Sequence, residues 1–227
     1  MTRANYPTVM AEIFKQEGGY VDHPSDPGGA TNLGITFAVL QEWRGHPITK
    51  ADVKALTKAE ATLIYEARYW NVIKGDSLPA GVDLLTMDGA VNSGPSQGAK
   101  WLQRAVGVEA DGKIGPATLA AVSKANAVDV INGIYDQRLA FLKKLKTWPT
   151  FGKGWQARVD RVRKEALEMA KAAKSGPAYV PPHPRPPDAP IIVHHDDPIT
   201  PKRFNIWPWV LGAVIVAILF VVTQVRF

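Results

Sequence analysis

Hydrophobic positions recur at helical spacing through most of the first 175 residues. Met10, Ile13 and Phe14 mark one face of a first helix, because side chains three and four residues apart share a helix face. The same periodicity predicts later helices that begin near residues 36, 49, 57, 81, 96, 116, 128 and 155. Strand signal is confined to residues 20–36, which could form a small hairpin. The pattern therefore predicts a mainly α fold with a small β-hairpin.

The first helix leads into a loop of turn-forming residues that ends at Thr36. Glu17 falls on the apolar face of that helix, and a glycine that can cap the helix in a left-handed conformation follows it. Burial and the carbonyl end of the helix should both raise the pKa of Glu17. Asp26 lies in a polar turn and should stay ionised. Glycoside hydrolysis uses two carboxyl groups with separated pKa values.

Other interpretations of these carboxyl groups remain open. Glu17 could be a solvated helix end, and Asp26 could be an ordinary residue of an Asp-Pro-Gly turn. Asp22 competes with Asp26 for the role of second carboxylate, and spacing alone does not choose between them.

Three sequence blocks resemble those of glycoside hydrolase family 108, the lysozyme-like N-acetylmuramidases of phages and bacteria. The first block is Glu17-Gly-Gly-Tyr together with Asp26-Pro-Gly-Gly-x-Thr-Asn-x-Gly-Ile-Thr. The second is Trp101-Leu-Gln-Arg with Asp111-Gly-Lys-Ile-Gly-Pro, and the third is Phe151-Gly-x-Gly-Trp-x-x-Arg158. The last two blocks are similar to the peptidoglycan-binding-type segment of that family. A looser likeness to phage-type lysozymes involves the spacing of Glu17, Asp26 and Asn32.

The resemblance implies a lysozyme-like domain of two lobes with a cleft between them. Residues 1–94 would form the catalytic lobe and residues 95–175 a helical, peptidoglycan-binding-type lobe. Glu17 and Asp26 would be catalytic in cleavage of the β-1,4 bond between N-acetylmuramic acid and N-acetylglucosamine. Substrate contacts are expected from polar residues of the loop and of the helix near residue 88, although these could equally brace the fold: Tyr20, Thr31, Asn32, Asp88 and Asn92.

Composition and charge limit the classes of binding partner and cofactor that are expected. The chain has no cysteine and a formal net charge of +6. A basic protein favours an anionic partner, and peptidoglycan fits this requirement. No basic motif interleaved with aromatic residues is present, so no nucleic-acid partner is expected. No cluster has metal-ligand spacing, so we expect neither a metal nor another cofactor. The sequence does not indicate an oligomeric state.

The composition changes after residue 175. Residues 176–205 are rich in proline, which is typical of a semi-rigid linker. Residues 206–225 form an almost unbroken apolar run, long enough at about 1.5 Å per residue to cross a bilayer. This run predicts a C-terminal transmembrane helix, and hence a single-pass anchor in the inner membrane with the enzyme acting on periplasmic peptidoglycan. The N-terminal residues lack the apolar segment of a secretory signal peptide.

Two other functions compete with hydrolysis. A lytic transglycosylase would use one acid and leave a 1,6-anhydro end, and a non-catalytic, membrane-tethered peptidoglycan-binding protein would use only the second lobe. The presence of both Glu17 and Asp26 favours the hydrolase, because a binding protein needs neither carboxyl group.

Overall fold

The computed structural model describes residues 5–22 and 29–175, and within these ranges the fold is mainly helical with one two-stranded antiparallel sheet. The helices are α1 (Tyr6–Gln16), α2 (Phe37–Arg44), α3 (Lys50–Lys54), α4 (Lys58–Tyr65), α5 (Val82–Ser93), α6 (Pro95–Ala105), α7 (Pro116–Lys124), α8 (Ala127–Lys143) and α9 (Trp148–Ser175). The strands are β1 (Thr31–Asn32) and β2 (Ile35–Thr36). A π-helical turn, Glu66–Trp70, continues α4, and a 3₁₀ turn, Gly75–Ser77, precedes α5. The predicted helical class and the small hairpin are confirmed.

Threonine caps start three of the short helices in the first half of the chain. The hydroxyl groups of Thr36, Thr49 and Thr57 each accept a hydrogen bond from the backbone N–H three residues later. Of these three, only Thr49 completes a capping box, because its backbone N–H donates a hydrogen bond to the Asp52 carboxylate. Glu60 pairs with Arg44 instead of returning to Thr57. The threonine caps therefore mark where the helices start, while the ion pair with Arg44 determines which group Glu60 contacts.

Helix α5 is the centre of the fold. Its residues from Val82 to Ala90 are all buried, and α1, α6, α8 and α9 pack around it. The buried apolar side chains form one connected core that extends from Tyr6 in α1 to Ala170 in α9. Residues on both sides of position 94 thus share a core, which brings α9 against the end of α1.

A buried carboxyl group anchors the first turn of α5. Asp83 is fully buried and accepts hydrogen bonds from the backbone N–H groups of Gly81 (2.8 Å) and Leu84 (2.7 Å). Its second oxygen accepts a hydrogen bond of 2.9 Å from the side-chain amide of Asn5. Burial raises the pKa of Asp83 to about 6, although the hydrogen bonds partly oppose that rise. This contact joins the residue before α1 to the central helix.

The large aromatic side chains belong mainly to the core. Trp70 and Trp101 are each 1% exposed, and Trp155 is 7% exposed. Trp70 lies against Gly75, and its indole N–H donates to Asp76 at 2.9 Å. Trp101 packs beside Gly89 and in edge contact with Phe141. These rings therefore hold helices together and do not form an open sugar-stacking platform.

One predicted helix start is wrong, and another shifts by a residue. Helix α6 begins at Pro95, one residue before the predicted start near residue 96. Helix α9 begins at Trp148, seven residues before the predicted start at Trp155. In both helices proline lies in the first turn, where its missing N–H leaves no helical hydrogen bond unmade. Pro149 therefore belongs to the opening turn of α9 and does not end α8.

The prediction of a C-terminal transmembrane helix is corrected. Over residues 5–22 and 29–175 no helix is both long and apolar enough to cross a membrane. The longest of these helices, α9, has 28 residues, but charged side chains recur along it, as at Lys153, Arg161 and Lys171. The proline-rich stretch 176–205 and the apolar run 206–225 lie outside the described residues. The transmembrane helix and the single-pass inner-membrane location are therefore not supported.

Candidate active site

Glu17 follows the last residue of α1 directly. Its backbone is extended (φ −89°, ψ 132°), and its N–H still donates to the carbonyl of Ile13 at 3.2 Å. The chain therefore turns out of the helix at Glu17, and not at the glycine that follows. This turn directs the side chain towards the interior, where it is 15% exposed. The prediction that Glu17 lies at the end of the helix on its buried side is confirmed, whereas the predicted left-handed glycine cap is wrong.

The surroundings of Glu17 favour its protonated form. Burial raises the pKa of the carboxyl group, and the nearby carboxylate of Asp88 adds to the rise. The guanidinium of Arg158 acts in the opposite direction, but it does not cancel the effect of burial. A raised pKa is the direction that a general acid needs, because the group must hold a proton before it can give one to a leaving group.

The turn of the hairpin closes over this carboxyl group. Leu33 and Gly34 connect β1 to β2, with φ values of 50° and 74°. Positive φ at both central residues is the requirement of a type I′ hairpin turn. The hydroxyl group of Tyr65 donates to the Leu33 carbonyl at 3.1 Å and so helps to hold Leu33 in its strained backbone conformation.

Gly34 is needed here for space as well as for its backbone conformation. A Cβ atom added at Gly34 would lie 2.6 Å from Glu17 Oε2, and closer still to the hydroxyl oxygen of Tyr65. Real Cβ atoms do not approach oxygen atoms this closely. The hairpin backbone therefore forms a wall that packs directly against the Glu17 carboxyl group.

A buried cluster of charges lies on the other side of Glu17. Arg158 of α9 places Nη2 3.5 Å from Glu17 Oε1 and 2.8 Å from Asp88 Oδ1. Asp88 of α5 is fully buried, and its second oxygen pairs with Arg138 of α8. Arg138 also donates to the side-chain oxygen of Asn92 at 3.2 Å. Burial would raise the pKa of Asp88, but the two arginines outweigh burial and hold it below its usual range.

The remaining loop residues are arranged around β1. Val21 and Thr31 exchange two backbone hydrogen bonds of 2.8 Å, which bring the start of the loop back to the hairpin. Asp22 forms an ion pair with Lys50 at 3.1 Å, and the Tyr20 hydroxyl group lies 3.5 Å from the Asp22 carboxylate. Tyr20 and Thr31 are half-buried and border this part of the loop. Asp26 lies outside the described residues.

The side chain of Asn32 braces the hairpin against helix α3. Its side-chain amide donates to the carbonyl groups of Val53 (3.0 Å) and Lys54 (3.1 Å), and the residue is 7% exposed. These hydrogen bonds tie β1 to the end of α3. The predicted substrate contacts of Asp88 and Asn92 remain predictions, and in the structure these two side chains contact Arg138 and Arg158. In the part of the chain that the structure describes, no group of three His, Asp or Glu side chains could hold a metal ion.

Arg158 and Arg138 are the site residues that sequence reasoning missed. Both occupy the buried faces of their helices: Arg158 is three residues after Trp155, and Arg138 is four residues after Ile134. A basic residue on an apolar helix face indicates a buried acidic partner, because an unpaired charge is costly there. That signal is present in the sequence. The identity of the partner, Asp88, depends on tertiary packing.

A protonatable carboxyl group beside a hairpin in a small helical fold is typical of lysozyme-like glycoside hydrolases. Two comparisons agree with that class. Residues 10–94 match the profile of the family described as Glycosyl hydrolase 108, and residues 97–160 match one described as a predicted peptidoglycan domain. A search of curated proteins finds no match.

A solved structure is similar over most of the chain. It is the structure of Brucella abortus SagA, which is 54% identical, with a TM-score of 0.69 over 76% of this chain and 99% of that chain. The chain therefore belongs to glycosyl hydrolase family 108. It is a glycoside hydrolase with a lysozyme-like function in peptidoglycan degradation.

Proposed function

We propose that the protein hydrolyses the β-1,4 bond between N-acetylmuramic acid and N-acetylglucosamine, for cell lysis or for wall remodelling. Glu17 gives its proton to the bridging oxygen as the bond breaks. One observation carries this assignment: the Glu17 carboxyl group lies at a helix end, buried between the hairpin and Arg158, where its pKa is raised. General acid catalysis requires this combination of position and protonation.

The second carboxylate in this proposal is Asp26. It would stabilise positive charge at the anomeric carbon or orient the attacking water. The contacts of its competitor support this choice, because Asp22 is already engaged by Lys50 and lies beside the Tyr20 hydroxyl group. We expect Asp26→Asn to reduce the hydrolysis rate far more than Asp22→Asn. A larger loss in Asp22→Asn would transfer the role to Asp22, and equal losses would contradict the assignment to Asp26 alone.

The substrate contacts are assigned by accessibility. Tyr20 and Thr31 are half-buried and can contact a sugar at the edge of the loop. Asn32 is assigned to bracing, because both amide hydrogen bonds go to the end of α3. Asp88 and Asn92 are assigned to positioning, because the arginine cluster engages them. The division into a catalytic lobe, residues 1–94, and a binding lobe, residues 95–175, belongs to the same proposal.

Reaction products distinguish this activity from its alternatives. The full-length protein is incubated with purified sacculi, and the soluble fragments are reduced with borohydride and analysed by mass spectrometry. Hydrolysis at the proposed bond leaves N-acetylmuramic acid at the reducing end, which borohydride converts to muramitol. Reduced N-acetylglucosamine ends would assign cleavage to the other glycosidic bond. Non-reducible 1,6-anhydro ends would show a lytic transglycosylase and overturn the proposal.

A further inference from the structure

One guanidinium nitrogen of Arg158 lies between two carboxyl groups, those of Asp88 and Glu17. Nη2 of Arg158 lies 2.8 Å from Asp88 Oδ1, the length of a strong charge-assisted hydrogen bond, but 3.5 Å from Glu17 Oε1. The three side chains come from α9, α5 and the end of α1. Arg158 is thus held closely by a residue that cannot reach solvent, and more loosely by the proposed acid.

Among the described residues, the charges of the cluster balance only when Glu17 is ionised, and protonation of Glu17 leaves one positive charge uncompensated. Asp88 faces two guanidinium groups, those of Arg138 and Arg158, and its own charge neutralises one of them. The second positive charge has Glu17 as its other anionic neighbour. A free Arg158 would therefore be drawn towards Glu17, and a close ion pair would keep the acid deprotonated.

We propose that Arg158 is a positioning residue for Glu17, which Asp88 and Arg138 hold at a distance that orients the Glu17 carboxyl group without pairing it closely. The inference rests on the proposed role of Glu17 as the acid. Asp88 does not contact the substrate in this arrangement. It acts through Arg158, and Arg138 in turn keeps Asp88 ionised.

The groups that face Glu17 allow the effect of each substitution to be derived. Arg158 on α9 favours the ionised carboxylate, Asp88 on α5 opposes it, and the Tyr65 and Tyr69 hydroxyl groups lie near it as neutral groups. Removing Arg158 should raise the pKa of Glu17. Removing the Asp88 charge should lower it, because the repulsion is lost and Arg158 is released towards Glu17. The two substitutions should thus act in opposite directions.

A purely structural cluster would behave differently. Buried ion pairs often contribute little net stability, and the Nε atoms of Arg138 and Arg158 have no hydrogen-bond partner within the described residues. Breaking the cluster at either end should lower stability in both cases, whereas the charges predict shifts of the Glu17 titration in opposite directions. The titration therefore separates the effect of the cluster on Glu17 from its effect on stability.

The experiment measures the Glu17 carboxyl group directly, by 13C NMR of full-length protein labelled at the glutamate side-chain carbons. The resonance is assigned by its loss in Glu17→Gln. In Arg158→Gln the midpoint should rise by on the order of one pH unit, because an opposite charge at this distance has an effect of that size. That variant leaves Arg138 and Asp88 as a balanced pair, so we expect it to fold. Arg158→Lys restores the charge and should bring the midpoint back towards the wild-type value.

The second arm is Asp88→Asn, in which the midpoint should fall. If this variant does not fold, Asp88→Asn combined with Arg138→Gln leaves one arginine and one glutamate, and the same fall is expected. A midpoint that stays unchanged in Arg158→Gln, or that moves in the same direction in both arms, overturns the inference. Undiminished lysis of sacculi by Glu17→Gln would instead overturn the proposed function, and the titration would still show whether Arg158 controls Glu17.

Discussion

Gly34→Ala is the substitution that tests most sharply whether the hairpin shapes the position of the Glu17 carboxyl group, the proposed acid. The new methyl group would lie 2.6 Å from Glu17 Oε2, whereas ordinary van der Waals contact begins near 3.4 Å. The Glu17 carboxyl group or the hairpin must therefore move by about 0.8 Å, and the still closer Tyr65 hydroxyl group must give way as well. A displacement of about 1 Å in a catalytic geometry can cost roughly 100-fold in rate. We expect a loss of that order in the initial rate of sacculus hydrolysis.

The control must share the backbone strain without the crowding, and Gly45 provides it. Gly45 has φ 70°, close to the 74° of Gly34, and an added Cβ there meets nothing within 4 Å. Each alanine substitution should cost about 1–2 kcal/mol of unfolding free energy from the left-handed backbone. Gly45→Ala should therefore lose stability but keep nearly full activity below its melting temperature.

The assay compares the two variants with the wild type. Thermal unfolding is followed by circular dichroism, and initial rates of turbidity loss are measured at a temperature where both variants are folded. If Gly34→Ala and Gly45→Ala retain similar rates, contact between the hairpin and Glu17 does not matter for catalysis and the reasoning is wrong.

Three further predictions concern other parts of the molecule. Burial raises the pKa of Asp83 from 3.8 to about 6, so protonation of Asp83 stabilises the folded state. This stabilisation is present below pH 4 and is lost as the pH rises to about 6. Urea unfolding should therefore show a smaller gain in stability on acidification in Asp83→Asn than in the wild type. Asn32→Ala removes two hydrogen bonds to the end of α3 and should lower the unfolding free energy by about 1–3 kcal/mol, whereas unchanged stability together with lost activity would assign Asn32 to the substrate. Residues 143–164 contain eight basic residues and one acidic residue. The double variant Lys144→Gln with Lys146→Gln should therefore hydrolyse anionic sacculi several-fold more slowly at low salt and only slightly more slowly at high salt. The control Lys124→Gln on α7 should have a smaller effect.

Local chemistry explains why much of the fold can be read from the sequence. Threonine at positions 36, 49 and 57 marks three helix starts through hydrogen bonds made within three residues. Glu17 is identifiable because helical periodicity places it on the buried side of α1. Proline is ambiguous, since it can end one helix or open the next. Pro149 opens α9, and the packing of Trp148 against Trp155 within the same helix goes with that start.

The site is less predictable, because its contacts join distant parts of the chain. Arg158 is 70 residues from Asp88, and Arg138 is 50 residues from it. Periodicity shows that each arginine faces inward, but it contains no information on which carboxylate lies opposite. The predicted membrane helix has no support among the described residues, none of whose helices is both long and apolar enough to cross a membrane.

The central claim is that Glu17 is the acid, and lysis of sacculi by full-length Glu17→Gln tests it most directly. Glutamine keeps the size of the side chain but cannot donate an acidic proton, so we expect a loss of about 100- to 10,000-fold in rate. Glu12→Gln is the matched control, because Glu12 lies on the same helix, is 8% exposed and pairs with Lys15. We expect this control to stay active. A folded Glu17→Gln protein that clears sacculi as fast as Glu12→Gln would contradict the account.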